Sequence, residues 1–215
     1  MLVEGAVDIF SVVGLMREHV DWPKARWDAP VWILNGGGRP NVFEKNLIPT
    51  YLKSFVIRRF GIIVDADDNA AGTYQRIHQL CGKEFPQLPT QLSADGIIVE
   101  NDDGKTLGVW IMPDNHSDGG IETFLKSLIP ESEAKSWELA QQCVQSAKQL
   151  GCPCRDCHED KANLYTWLAW RDPPGQSPGV ALMMADLNGT AESAGAFVAW
   201  FKKLYDLPAK SLLIS

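Results

Sequence analysis

The sequence predicts an α/β protein with a mostly parallel sheet flanked by helices, an antiparallel hairpin and a C-terminal helical extension. Over the first 82 residues, short apolar runs alternate with segments of helical periodicity, an order typical of parallel sheets. Two further apolar runs flank Asp103-Gly104, a dipeptide that favours a tight hairpin turn. From about residue 131 the pattern is helical. We therefore expect an α/β core at 1–130 and a helical extension at 131–215, packed on the core as one structural unit.

Each element follows from the apolar spacing and from the turn residues between the runs. The core is predicted to contain a strand at 1–3, a helix at 8–20, a strand at 30–38, a helix at 42–55, a strand at 60–64, a helix at 69–82, the hairpin at 96–113 and a helix at 119–130. The extension is predicted to contain helices at 131–150, 159–172 and 195–207, with PPGQSPG at 173–179 as a loop.

Composition and charge narrow the class of protein. The net charge of −7 argues against a protein that binds nucleic acid through its overall charge. A bound cation could still bridge the protein to such a substrate. No apolar run approaches the ~18 residues of a membrane span, and the N-terminus lacks the basic region of a signal peptide. We therefore expect a cytoplasmic protein without membrane association. A loose set of basic residues in the first half is expected on a solvated face: Lys24, Arg26, Arg39, Lys45, Lys53, Arg58 and Arg59.

Acidic residues follow two of the predicted strands. The stretch GIIVDADDNAAG at 61–72 carries three aspartates directly after a buried strand, and Glu4 ends the first strand. In an extended chain Asp65 and Asp67 project to the same side, and Asp8, one turn into the first helix, can lean over the same edge. Grouped carboxylates repel one another, and their hard oxygens suit Mg²⁺ or Mn²⁺. The alternative is that these residues are helix caps and surface carboxylates.

Two of these stretches resemble the signature motifs of the Toprim domain. They are VEGAVD at 3–8 and IIVDADD at 62–68, and the form with a second acid looks most like the overcoming-lysogenization-defect nucleases. Three later segments resemble small stand-alone Toprim-like proteins of unknown function: MPDNHSDGGIETFLKSLIP at 112–130, TWLAWRDPPGQSPG at 166–179 and FVAWFKKLYDL at 197–207. The resemblance implies a Toprim, Rossmann-like fold over nearly the whole chain.

The resemblance also implies roles for the acids. Glu4 would act as acid/base or as a ligand of a second metal, Asp65 would be catalytic, and Asp65 and Asp67 would bind Mg²⁺ or Mn²⁺. Asp8 and Glu122 would complete a two-metal site for phosphodiester hydrolysis. No basic residue closely follows the Asp-x-Asp motif, which leaves charge stabilisation to the metals, to Lys126 as a substrate-binding residue, or to a partner.

Two functions stay open at this point. One is a metal-dependent nuclease that acts on DNA or RNA, as the effector partner of a separate ATPase in phage defence. The ATPase would be a separate protein because this chain has no phosphate-binding GxxxxGK[ST] motif. The other is a non-catalytic module that keeps the fold and its acidic edge for binding a metal or a protein. The set of five acids favours the first, while the net negative charge and the missing basic groove favour the second, or a partner that supplies the DNA contacts. The nucleic acid and the oligomeric state are not predicted.

The segment GCPCRDCHED contains a separate cluster of possible ligands. Cys154-x-x-Cys157-His158 has the spacing of covalent haem attachment, and Cys152 could join these three in a zinc site. Haem attachment requires export, and four zinc ligands within seven residues are cramped. We expect reduced thiols without haem or stoichiometric zinc.

Overall fold

The computed structural model describes residues 1–211. The strands of its sheet are β1 (Leu2–Val3), β2 (Leu34–Asn35), β3 (Arg59–Asp65), β4 (Ile97–Glu100) and β5 (Thr106–Met112). The α-helices of the first 130 residues are α1 (Ala6–His19), α2 (Arg39–Glu44), α3 (Leu47–Leu52), α4 (Ala70–Cys81) and α5 (Ile121–Lys126). They are followed by α6 (Ala134–Gln149), α7 (Glu159–Leu168), α8 (Pro178–Met183) and α9 (Gly195–Tyr205).

The five strands form one sheet in the order β2-β1-β3-β5-β4. All neighbouring pairs are parallel except β4 and β5, which form the antiparallel hairpin around Gly104. The longest pairing runs from Arg59 opposite Thr106 to Asp65 opposite Met112. The predicted α/β class, the mostly parallel sheet and the hairpin are confirmed.

Helices cover both faces of the sheet because the side chains of its central strands alternate between them. Ile62 and Val64 of β3 pack into an apolar cluster shared with α2, α3 and α4. Ile63 packs on the opposite face, in a cluster that includes α1 and the C-terminal residues Phe197 and Trp200 of α9. The helices after residue 131 therefore complete the core on one face of the sheet.

Several elements are shorter than predicted: the strand expected at 30–38 spans only Leu34–Asn35, and the helix expected at 119–130 spans Ile121–Lys126. Two further stretches are divided or begin differently. The helix expected at 42–55 is divided into α2 and α3, because Asn46 adopts a left-handed φ of 54° between them. Pro49 lies in the first turn of α3, where its missing N–H leaves no helical bond unmade. The loop expected at 173–179 ends earlier than predicted: α8 begins at Pro178, with the Ser177 side chain as its cap. Pro at the first helical position favours such a start.

The carboxyl ends of β1, β3 and β5 meet at one edge of the sheet. The chain beyond β3 is held there by the Ala66 N–H, which donates to the Met112 carbonyl, and by reciprocal backbone bonds of 2.8 and 2.7 Å between Asp67 and Gly119. These bonds fix the loop before α5 against the end of β3. Among residues 1–211, no helix has the length and apolar character needed to cross a bilayer.

Candidate functional site

Glu4 follows β1 directly and reaches the neighbouring strand. The Asp65 backbone N–H donates to Glu4 Oε1 at 3.1 Å, because β1 and β3 are adjacent and parallel. The Glu4 side chain is 14% exposed. Burial, opposed by this hydrogen bond and by Arg39, raises the pKa of Glu4 to about 7, and the negative charges of Asp8 and Asp67 add to the rise.

Asp65, the last residue of β3, is held from two directions. Its Oδ1 accepts the Ile121 N–H at the start of α5 at 2.9 Å, and its carbonyl accepts a bond of 2.5 Å from Arg39 Nη1. Burial is the largest cause that raises its pKa well above the usual range. The charges of Glu4, Asp8 and Glu122 raise this pKa further, so these acids lie within electrostatic range of one another.

Asp8 combines a structural contact with an unused oxygen. It occupies the first turn of α1, and its Oδ2 accepts the Gly5 N–H at 2.9 Å, as a helix-capping carboxylate does. Its Oδ1 is buried without a hydrogen-bond partner within residues 1–211, and the residue is only 5% exposed. Burial raises the pKa of Asp8 to about 6. Capping therefore accounts for one carboxylate oxygen and leaves the other unexplained.

Asp67 reaches the cluster by a different route from the predicted one. The strand ends at Asp65, and Asp67 has a left-handed φ of 53°, so the alternation of an extended chain does not apply to it. Its side chain is 57% exposed and lies 3.2 Å from the Arg39 guanidinium. Asp68 caps no helix, since Asn69 accepts the Gly72 N–H at the start of α4.

Arg39 lies among the acids, and not on the solvated face where the sequence placed it. Its Nη1 lies 3.5 Å from Glu4 Oε1, and its Nε lies 3.2 Å from Asp67 Oδ2. Its Nη2 donates to the buried Thr73 hydroxyl at 2.6 Å. One guanidinium thus joins the ends of β1 and β3 to α4 and neutralises part of the acidic cluster.

A second cation lies on the α5 side of the cluster. Lys161 Nζ in α7 lies 2.9 Å from Glu122 Oε1, whose side chain is 13% exposed. Lys126, the basic residue expected to contact substrate, is instead 3.2 Å from Asp160. Neither Arg39 nor Lys161 could be assigned from sequence, because each lies far along the chain from the acidic motifs.

A cleft of about 850 Å³ opens beside these residues, between the end of β3, the start of α5 and the start of α7. Its lining is strongly acidic, with Lys161 and His158 as its basic members. The acids that line it are Asp65, Asp67, Asp68, Asp118, Glu122, Asp156, Glu159 and Asp160. Glu4 and Asp8 are not among the residues that line it.

The donor chemistry of the cluster fits a divalent cation. Carboxylate oxygens are the ligands that Mg²⁺ and Mn²⁺ prefer, and the unpartnered Asp8 Oδ1 is a buried acceptor that a cation would satisfy. Within residues 1–211, however, no three His, Cys, Asp or Glu side chains stand close enough to hold an ion without moving. Arg39 and Lys161 neutralise the acids in this arrangement, so a divalent ion would have to displace some of their contacts.

The cysteine segment borders the same cleft. Cys157 and His158 line it, while Cys152 and Cys157 are exposed thiols. His158 Nε2 lies 2.7 Å from an Arg155 guanidinium nitrogen. Cys154 contacts the neighbouring Arg155 carbonyl. The expectation that these thiols are reduced and hold neither haem nor stoichiometric zinc stays a prediction.

Comparison with known proteins places the chain in a family. A family model described as "Protein of unknown function (DUF3226)" matches residues 1–206. The chain belongs to DUF3226. No curated protein and no solved structure shows a significant match. The matched residues include the sheet, the acidic cluster and the C-terminal helices. The family description states no function, so the function is inferred from the site.

Proposed function

We propose that this chain is a Toprim-type enzyme that hydrolyses phosphodiester bonds of nucleic acid with Mg²⁺ or Mn²⁺. The observation that supports the proposal most is that Glu4, Asp8 and Glu122 lie within electrostatic range of the buried Asp65, while Asp8 Oδ1 is buried without a hydrogen-bond partner within residues 1–211. Buried like charges are costly, and a protein keeps them together where a cation or a proton compensates them. The Toprim-like motifs at 3–8 and 62–68 provide independent support from sequence.

The proposal gives each acid a task. Glu4, Asp8, Asp65, Asp67 and Glu122 would hold the metal, which would supply Lewis-acid stabilisation and an activated water. Glu4 would serve as a ligand of a second metal or as the acid/base, since its pKa is raised to about 7 by burial in the metal-free chain and a bound cation would lower it. The Ile121 N–H donates to the Asp65 carboxylate and keeps it oriented, while the Arg39 guanidinium donates to the Asp65 carbonyl.

Arg39 and Lys161 would stabilise the charge that develops on the phosphate. Both lie within ion-pair distance of the acidic cluster, and Lys161 lines the cleft that a substrate would enter. Cations fixed beside a reacting phosphate provide transition-state stabilisation without reorganisation. The substrate-binding role expected for Lys126 stays a prediction beside this assignment.

The acidic lining indicates how the substrate would bind. A cleft with eight carboxylates repels a polyanion, so DNA or RNA contacts would have to come from bound cations or from another protein. We therefore propose that the chain acts as the effector partner of a separate ATPase subunit, in phage defence or nucleic-acid processing.

A second function is favoured by the same two cations. Because Arg39 and Lys161 already neutralise part of the acids, the cluster can be stable without metal. The fold would then be a non-catalytic metal-binding or protein-interaction module with an acidic face.

A cleavage assay separates the two functions. The full chain is incubated with single- and double-stranded DNA and RNA in Mn²⁺ or Mg²⁺, beside the Asp65→Asn and Glu4→Gln variants. We expect both variants to lose cleavage by about a hundredfold or more, because groups that stabilise transition-state charge carry large effects. Asp102→Asn is the matched control, since Asp102 is exposed and lies in the hairpin turn, outside the cleft. Cleavage that persists in the variants and in chelator would reject the proposal, and metal binding without any cleavage would favour the module.

A further inference from the structure

The apolar surface of helix α1 extends beyond its buried side. The inner side, with Val12, Leu15 and Met16, is buried in the core. The adjacent strip, here called the outer side, carries the half-buried Ile9 and Val13 and the Phe10 side chain, which is 60% exposed. An apolar strip on a helix is normally covered by other apolar groups. The outer side of α1 therefore has the character of a contact surface.

The outer side of α1 forms the floor of a groove. The segment at 22–33 and α8 build its walls, and the groove has a volume of about 490 Å³. Trp32, which is 56% exposed, and Met183, which is 45% exposed, line it together with α1. The other large apolar residues of the lining are Trp22, Val31 and Ile33. Concave apolar surfaces of this kind receive side chains of a partner.

The charges on this groove are all positive. Its lining includes Arg17, Lys24 and Arg26 and no acidic residue, in a protein whose net charge is −7. No carboxylate within residues 1–211 forms an ion pair with these three cations. The Arg26 guanidinium lies 5.0 Å from the centre of the Trp32 ring, so one cation is held over the apolar floor.

We propose that this groove docks a segment of another protein that presents apolar side chains flanked by carboxylates. The apolar floor would bury the side chains, and the three cations would pair with the flanking acids, which sets orientation and specificity. A membrane surface fits less well, because the groove is concave and its three cations form no polybasic run. The groove and the acidic cleft share no lining residue, so the inference is independent of the proposed catalysis.

Two synthetic peptides test the proposal. Both carry Leu at helical spacing, one has Glu at the flanking positions and the other has Lys, and binding is followed by fluorescence anisotropy of a label on the peptide. We expect the Glu peptide to bind the full chain at least about tenfold more tightly than the Lys peptide. Phe10→Ala should weaken the Glu peptide about tenfold, and Lys24→Glu with Arg26→Glu should reverse the preference.

Phe55→Ala is the matched control, because Phe55 is 90% exposed and lies outside the groove. Equal binding of the two peptides, no binding of the Glu peptide, or an equal loss in Phe55→Ala and Phe10→Ala would overturn the proposal. A dimer in light scattering that Phe10→Ala dissociates would assign the groove to a second copy. Sedimentation with phosphatidylglycerol vesicles that Phe10→Ala abolishes would assign it to a membrane.

Discussion

The Asp65 backbone N–H donates to Glu4 Oε1 at 3.1 Å and joins two acidic motifs that lie 61 residues apart in the chain. This bond holds a carboxylate from the end of β1 over the end of β3. This bond lowers the pKa of Glu4 by less than burial raises it. The negative charge of the two carboxylates is therefore only partly compensated.

Stability should fall as the pH rises through the range in which the buried carboxyls ionise. Glu4 and Asp8 have pKa values raised to about 7 and about 6, so the unfolded chain loses these protons first. Their favourable contribution is complete below the unfolded values and is lost as the pH rises through the folded ones. Denaturant titrations without metal should show about 3 kcal/mol less stability near pH 8 than near pH 5. Asp8→Asn should flatten the lower part of this slope, and an unchanged slope would contradict the burial of the carboxyl.

Gly120→Ala should disturb the site through Asp65. A Cβ at Gly120 would lie 2.6 Å from the Asp65 carboxylate, too close for two non-bonded atoms. The carboxylate should therefore turn away from Ile121, and cleavage should fall about tenfold or more while the circular dichroism spectrum stays unchanged. Gly195→Ala is the control, since nothing lies within 4 Å of the added atom there. Equal activity of the two variants would mean that the position of Asp65 is unimportant.

Arg39→Ala should leave the acids of the cluster uncompensated. Removing one member of a buried charge group costs about 3 kcal/mol, and we expect a loss of this size near pH 8 in the free energy of unfolding. Arg76→Ala is the control, because both residues lie over the Phe43 ring but only Arg39 forms ion pairs with the acids. Millimolar Mn²⁺ should restore more stability in Arg39→Ala than in the native chain. A similar loss in both variants would assign Arg39 to packing.

Lys161→Ala and Lys126→Ala should have different effects. Lys161 lines the cleft and pairs with the largely buried Glu122, so its loss should lower cleavage about tenfold or more. Lys126 pairs with Asp160 at a partly exposed position, and its loss should change activity less than about twofold. Comparing the initial rates of both variants at saturating metal provides the measurement. The reverse order would restore Lys126 as the substrate-binding residue.

Sequence was informative where the pattern is local. The ends of β1 and β3 and the hairpin at Gly104 followed from apolar runs and turn residues, because these depend on neighbours in the chain. The meeting of Glu4 with Asp65 followed from the expected parallel order of the strands, and Glu122 was expected only from the Toprim resemblance. The division of the helix at Asn46 was missed because a left-handed residue in that place has no periodic signal.

The parts of the site that sequence did not predict depend on distant contacts. Arg39 and Lys161 reach the acids only because α2 and α7 pack beside the sheet edge, and their residue types are common on solvated surfaces. The sequence predicted Asp67 near Glu4 because the side chains of an extended chain alternate. In the structure the chain turns after Asp65, and the contact with Arg39 holds Asp67 near the cluster instead. The apolar residues on the outer side of α1 were used in the sequence only to predict a helix, and their exposure was not predicted.

The most direct test of the metal-site proposal is a Mn²⁺ titration of the metal-free chain followed by electron paramagnetic resonance of the free ion. We expect the native chain to remove the free-ion signal with a Kd below about 1 mM. Asp8→Asn should lose this binding, because the substitution keeps an oxygen to accept the Gly5 N–H but removes the charge behind the unpartnered Oδ1. Asp102→Asn should bind as the native chain does. A free-ion signal equal to that of buffer, or equal binding by the native chain and Asp8→Asn, would contradict a metal site at this cluster.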